Sequence, residues 1–369
     1  MAKDSRQTEP MAKEETASGA AEERLSIGIN RKALWSVLSP VLAILTVWAL
    51  LRQSRTVSMT DILHTAAAAN RGWFLSAAAS AFLFILFEGA ALCSIVRAIG
   101  HGRRPKDGLL YAAADVYFSA ITPSATGGQP ASAYFMLRDG IPAGVVTAAL
   151  IFNLMMYTLS GMMLAVFGLI LRPGAFDGFG TPSRWLIGLG GLAQMALLVF
   201  FWLILKKGHM VFSRLERLLG FLGRKGVLHR PEKYAKKLQK ATADYGECAR
   251  LFAENGRLLL KALGWNIAQR TSQMIVPALL YVSMGGGASN AVMLFSRQCL
   301  ITVGYSLVPI PGAMGVADYL MLDGFSGLMG YQDAFALEML SRGITFYICV
   351  AVSGLITLGG YLLKRYRRR

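Results

Sequence analysis

Charge is scarce in this chain. Lys, Arg, Asp and Glu make up 16% of its 369 residues, against 54% hydrophobic residues and a mean hydropathy of +0.45. An ordinary soluble domain, about a quarter charged, is thereby excluded. Cysteine is scarce too. Cys93, Cys248, Cys299 and Cys349 are scattered without C-x-x-C spacing, so neither a disulfide framework nor a zinc site is indicated. The four histidines (His64, His101, His209 and His229) fall in loops or linkers, so no histidine inside an apolar run is available as general base or metal ligand. No G-x-S-x-G, H-E-x-x-H, Walker A or G-x-G-x-x-G stands at a fitting place. An enzyme, a cofactor, a metal centre and ATP-driven transport within this chain are therefore not expected. The N-terminus also lacks the apolar core of a signal peptide.

What is present is a series of apolar runs. Residues 1–33 are expected to form a disordered cytoplasmic tail, since 1–30 mix six acids and four bases with Ala, Ser and Thr. The remainder, 34–369, reads as one transmembrane domain. Spans are expected at 34–51, 73–96, 145–171, 185–205, 258–283 and 343–363, each long enough for the roughly 30 Å hydrocarbon core. Residues 206–257, with thirteen bases against five acids, form a basic amphipathic cytoplasmic insertion. In it Val211, Phe212, Leu215, Leu218, Leu219 and Leu222 recur at helical spacing, as in a helix lying on anionic lipid. A second periodic segment puts Tyr234, Leu238, Ala241, Tyr245 and Phe252 on one face. The net charge of +17 flanks spans instead of interleaving with aromatics, which points to an anionic membrane surface as partner and away from nucleic acid.

Two apolar stretches are interrupted. The first, 109–137, is broken by Thr122-Pro-Ser-Ala-Thr-Gly-Gly-Gln-Pro130; the second, 291–330, by Pro309-Ile-Pro-Gly-Ala-Met-Gly315. Proline and glycine at this density cannot continue a helix, and such backbone is tolerated in a bilayer only where it is buried in protein or lines a watery cavity. Each stretch is expected to be a re-entrant hairpin. From Arg31 onward, 25 Lys and Arg outside the spans then fall on the cytoplasmic side and 6 on the outer side, with both termini cytoplasmic. The hairpins enter from opposite faces, and the halves form an inverted-topology repeat. The alternative, 291–308 crossing as an ordinary span, is not excluded by length. The expected fold is an all-α polytopic membrane helix bundle with two broken re-entrant hairpins.

Ionisable groups inside such runs cost about 2.5 to 3.5 kcal/mol each at the bilayer centre, so each needs a partner or a use. Glu88, Asp115, Arg270, Arg297 and Asp318 are the candidates. Asn266, Arg270 and Gln273 share one helix face by i, i+4, i+7 spacing and are suited to a phosphate or to acids opposite. Thr126, Gly127, Gly128 and Gln129 at the first break, and Pro309, Pro311, Gly312 and Gly315 at the second, complete the candidate site. The competing role for each charged group is an ion pair that fixes helix packing, and for the glycines close helix contact.

The segments at 122–137 and 308–322 resemble those of the lysylphosphatidylglycerol synthase/flippase transmembrane family, whose members show T-P-x-x-x-G-G-[EQ]-P and P-x-P-G-x-x-G-x-x-[ED]. Both are readable here, with Gln129 and Asp318 where Glu is commoner. The resemblance covers roughly 34–363. It implies an integral domain that moves aminoacylated phosphatidylglycerol or a related phospholipid from the inner to the outer leaflet of a bacterial plasma membrane. The aminoacyl-transferase domain fused to some members is expected to be absent, since the chain ends six residues after its last span. Arg270 with Arg297 would take the phosphate, and Asp115, Asp318 and Glu88 a cationic aminoacyl group. Two rival readings stay open: a secondary transporter of a small solute or polyprenyl-phosphate carrier, and a non-transporting partner of a separate lipid or envelope synthase. An enzyme acting on headgroups is a distant third. Assembly into a homo-oligomer also stays open.

Overall fold

A computed structural model describes residues 68–122, 125–224, 231–306, 308, 313 and 315–366; through 207–224, 231–238, 240, 365 and 366 it is the backbone helix that is described. The chain divides into two compact units, Met1–Arg55 and Thr56–Arg369. The first, with the expected tail and the span at 34–51, lies outside the described residues, as do Pro309, Pro311 and Gly312.

The described residues are helical throughout their regular elements. α1 (Arg71–Ala98) starts where the Asn70 side chain accepts from Gly72 N and Trp73 N. α2 (Pro105–Ile121) opens on a proline and stops at Thr122, before Pro123. α3 (Gly128–Arg138) closes the first broken hairpin, and α4 (Ala143–Leu171) runs 29 residues to a stop at Pro173. α5 (Thr181–Arg224) follows a short turn and continues for 44 residues, so the segment from Val211 to Leu222, expected as a helix lying on lipid, is continuous with the fourth span. α6 (Pro231–Glu254) returns along it. Its Tyr245 and Phe252 are buried, Phe252 stacking on Phe152 at 4.2 Å, so this face docks on protein.

The expected span at 258–283 is two helices. α7 (Gly256–Met274) and α8 (Val276–Ser283) meet at Ile275, where Pro277 lacks the N–H that a continuous helix would need. α9 (Ala288–Tyr305) and α10 (Val316–Ser326) form the second broken hairpin. α11 (Tyr331–Arg342), a wide turn at Gly343–Ile348 and α12 (Cys349–Tyr366) make the last crossing, which starts twelve residues earlier than the apolar run at 343–363 suggests. Among the described residues, four stretches are long and apolar enough to cross a membrane by themselves: Arg71–Ala98, Ala143–Leu171, Thr181–Lys206 and Tyr331–Lys364. The molecule is a polytopic all-α bundle.

Both hairpins leave by the end at which they enter. Lys364 on α12 lies 3.6 Å from Asp107 at the start of α2 and also bonds Asp139 just past α3. Asp139 leads directly into α4, whose 29 residues rise about 43 Å. At the far end of α4, Arg172 donates to Ser289 at the start of α9, while Gly180 N donates to Asp323 in the last turn of α10. The two hairpins thus open to opposite ends of the bundle. Contacts repeat accordingly: α2 packs on α12 as α9 packs on α4, and α2 on α3 as α9 on α10. Where α1 crosses α2, Gly89 and Gly108 meet backbone to backbone; a Cβ on Gly108 would stand 2.5 Å from the Gly89 carbonyl.

The apolar interior has two main parts. One holds Ala77, Ala81 and Ile85 of α1 with residues of α8 to α11; the other holds Leu92, Ile95 and Val96 of α1 with the start of α4 and of α7. Glu88 of α1 and Asn266, Gln269 and Arg270 of α7 fall between them. A polar layer therefore crosses the bundle near mid-height.

Candidate functional site

The polar layer is built from the first break. Asp115, on α2 two turns before the break, receives Gln129 Nε2 at 2.7 Å and Ser119 Oγ at 3.2 Å. Gly128 makes this fit, since a Cβ there would stand 1.9 Å from Asp115 Oδ1 and 2.0 Å from Ser119 Oγ. The carboxylate consequently sits over the N-terminal turn of α3, where unpaired N–H groups favour an anion. Thr122 organises the turn: its hydroxyl donates to the Phe118 carbonyl at 2.6 Å and accepts from Gly127 N at 2.8 Å. Ala125 adopts φ 52°, and Ala125 and Thr126 are exposed at the tip. Gly127 and Gly128 are thus first of all close-contact residues.

Glu88 on α1 is the acid that neighbours Asp115. Gln269 Nε2 of α7 donates to Glu88 Oε2 at 3.2 Å. Glu88 and Asp115 are 5% and 9% exposed, and no cation pairs with either among the described residues.

Arg270 follows on α7. Its guanidinium lies 4.3 Å from the Tyr157 ring centroid, donates to Tyr157 Oη at 2.7 Å and to Gln273 Oε1 at 3.3 Å, and occupies room left by Gly161 on α4. It is 4% exposed, its Nε has no hydrogen-bond partner, and no carboxylate lies within salt-bridge distance among the described residues. Gln269, which donates to Glu88, immediately precedes Arg270 on α7, so the cation and the acids belong to one layer. Asn266, one turn along α7, is fully buried and donates to Asn153 Oδ1 of α4 at 3.1 Å.

A profile of the lysylphosphatidylglycerol synthase TM region matches residues 36–353. The chain belongs to that family. It is also similar to a UPF0104 membrane protein of Archaeoglobus fulgidus, 24% identical over 260 residues that cover 68% of this chain and 75% of that one. No solved structure matches. Membership makes the chain a multi-pass membrane protein with a membrane-lipid-related role.

Of the family's two motif segments, the first builds the polar layer through Gly128 and Gln129. The second is engaged elsewhere. Asp318, at the start of α10, accepts from Gly315 N at 2.8 Å and from Arg342 Nε of α11 at 2.7 Å, with Glu338 3.8 Å from the same nitrogen. Gly315 has φ 83°, which suits glycine alone. Arg297 of α9 donates to the Gly324 carbonyl at 2.5 Å, capping the end of α10. Asp318 and Arg297 therefore have partners of their own, and among the described residues these partners lie outside the polar layer. Tyr157, Gly161, Ser119 and Gln269 joined the site unannounced. A tyrosine, a glycine, a serine or a glutamine in an apolar run carries no charge to mark it.

Proposed function

We propose that the chain moves a phospholipid between the leaflets of the bacterial plasma membrane, binding the headgroup phosphate at Arg270 while the acyl chains stay in lipid. The observation that carries this reading is the missing counter-ion of Arg270. A guanidinium buried between two apolar cores costs several kcal/mol unless an anion joins it, and no protein carboxylate does so among the described residues. A planar guanidinium is matched to a phosphate, and Tyr157, Gln273 and Gly161 hold it in place. An aminoacyl ammonium, where the lipid carries one, meets Glu88 and Asp115 in the same layer. Hairpins opening to opposite ends supply a route from either side to the layer, as in transporters with inverted repeats. The basic segment 206–257 and the 25-to-6 distribution of Lys and Arg support cytoplasmic termini.

The test is a leaflet-exchange assay on purified full chain in liposomes, with fluorescent phosphatidylglycerol and a membrane-impermeant quencher. The parental protein is expected to move lipid, and Arg270→Gln to slow it at least about tenfold, the loss of about one charge-assisted contact. Equal rates for the two proteins would overturn the assignment of Arg270. Purified protein that moved no lipid would favour the non-transporting role beside a separate synthase.

A further inference from the structure

Beside Arg270, α7 carries buried polar atoms that the described residues leave unmatched. Asn266 is fully buried, and its Nδ2 donates both to the Ala262 carbonyl at 2.9 Å and to Asn153 Oδ1 at 3.1 Å. Its Oδ1 has no hydrogen-bond partner. Gln269, 1% exposed, donates through Nε2 to Glu88 Oε2 at 3.2 Å, and its Oε1 has no partner either. With Arg270 Nε, three buried unmatched atoms thus fall within five residues of one helix. Turning the Asn266 amide over would set its oxygen against two acceptors and strand its nitrogen, so the idle atom is an oxygen. Gln269 is oriented in the same sense by the Glu88 carboxyl oxygen. What remains is a cationic N–H beside two neutral amide oxygens. The first takes an anion, and the others require donors.

The framework that holds these groups is regular. Asn266 meets Asn153 and Arg270 meets Tyr157, and both pairs are 113 residues apart, so α4 and α7 run in step in the same direction. Asn266 and Arg270 consequently share one face, about 6 Å apart along the axis. A phosphodiester that carries a short polyol sets hydroxyls on the carbons next to its phosphate, which is the spacing such a face can read. An ammonium would go instead to the carboxyls of Glu88 and Asp115, where charge-assisted bonds exceed what a neutral amide offers. Resting on the phosphate-binding reading above, we propose that Asn266 and Gln269 select the headgroup: their idle oxygens accept from its hydroxyls, so the site prefers a polyol phosphodiester, such as a glycerol headgroup, to one without donors. The preference is built in, because a headgroup with no donor leaves two buried acceptors unmatched.

The test compares leaflet exchange of acyl-labelled phosphatidylglycerol and phosphatidylethanol by the purified full chain in liposomes. Both lipids carry one phosphodiester charge, but phosphatidylethanol has no headgroup hydroxyl. Phosphatidylglycerol is expected to move at least about tenfold faster, the effect of about two hydrogen bonds. That ratio is expected to fall at least about threefold in Asn266→Leu and in Gln269→Leu, whereas Arg270→Gln slows both lipids. Equal parental rates would overturn the headgroup assignment while leaving the phosphate assignment standing, and that result depends on no variant folding. Folded variants at both positions that kept the parental ratio would overturn it as well. Parental protein that moved neither lipid would overturn it together with the lipid-moving reading. Glycerophosphoglycerol, the same diester without acyl chains, is the soluble control and is expected to compete weakly. Block of lipid movement by it at a concentration equal to that of the lipid would assign the site to a soluble ester and overturn the lipid reading.

Discussion

Two buried arginines separate function from structure at the scale of the residue. Arg342 is paired with Asp318 at 2.7 Å, and the side chains are 13% and 11% exposed. Arg342→Met therefore strands a buried carboxylate and is expected to destabilise the bundle by about 3 to 5 kcal/mol. Arg270 has no such partner, so Arg270→Met removes an uncompensated charge and is expected to hold or raise the thermal midpoint while abolishing lipid movement. Thermal unfolding of both variants in nanodiscs checks the contrast; equal losses would make Arg270 a packing residue. Gly128 gives a second contrast. Gly128→Ala puts a methyl group 1.9 Å from Asp115 Oδ1, whereas Gly246→Ala meets nothing within 4 Å. The first is expected to cost about 1 to 3 kcal/mol and the activity with it, the second neither. Arg270, Glu88 and Asp115 were legible in the sequence because a charge in an apolar run announces itself. The partner of Asp318 was not, because Arg342 reads as an outer-loop residue until α11 is seen to extend the last span by twelve residues.

Among the elements, apolar length and proline placement decide most boundaries, and where they mislead the reason is local. α7 and α8 share one apolar run, yet Pro277 divides them at Ile275. α6 was readable as amphipathic from Tyr234, Leu238, Ala241, Tyr245 and Phe252, but the spacing does not say what that face meets, and Tyr245, Cys248 and Phe252 dock on protein. Burial pushes the Cys248 thiol up to about 11, so below that pH it is neutral and unreactive. Maleimide labelling at pH 7.5 is accordingly expected to leave Cys248 unmodified in the folded protein and to proceed once detergent or heat releases α6. Prompt labelling of the folded protein would show that α6 is not docked. The tie of Lys364 to Asp107 and Asp139 was likewise hidden, since those residues are 225 or more positions apart in sequence.

For the whole molecule, apolar length and the paired Pro/Gly breaks marked an all-α polytopic bundle with two interrupted elements. The layering did not show in the sequence, because a polar sheet across a bundle is assembled from single residues on α1, α2, α3, α4 and α7. That layer, between two apolar cores, is the feature on which the functional reading stands. It is tested most directly by an electron cryomicroscopy structure of the chain in phosphatidylglycerol nanodiscs. The predicted result is phosphate density about 3 Å from the Arg270 guanidinium, beside Tyr157 and between the two cores. Arg270 found instead in a direct ion pair with Glu88 or Asp115, with headgroup density confined to the bundle surface, would contradict it.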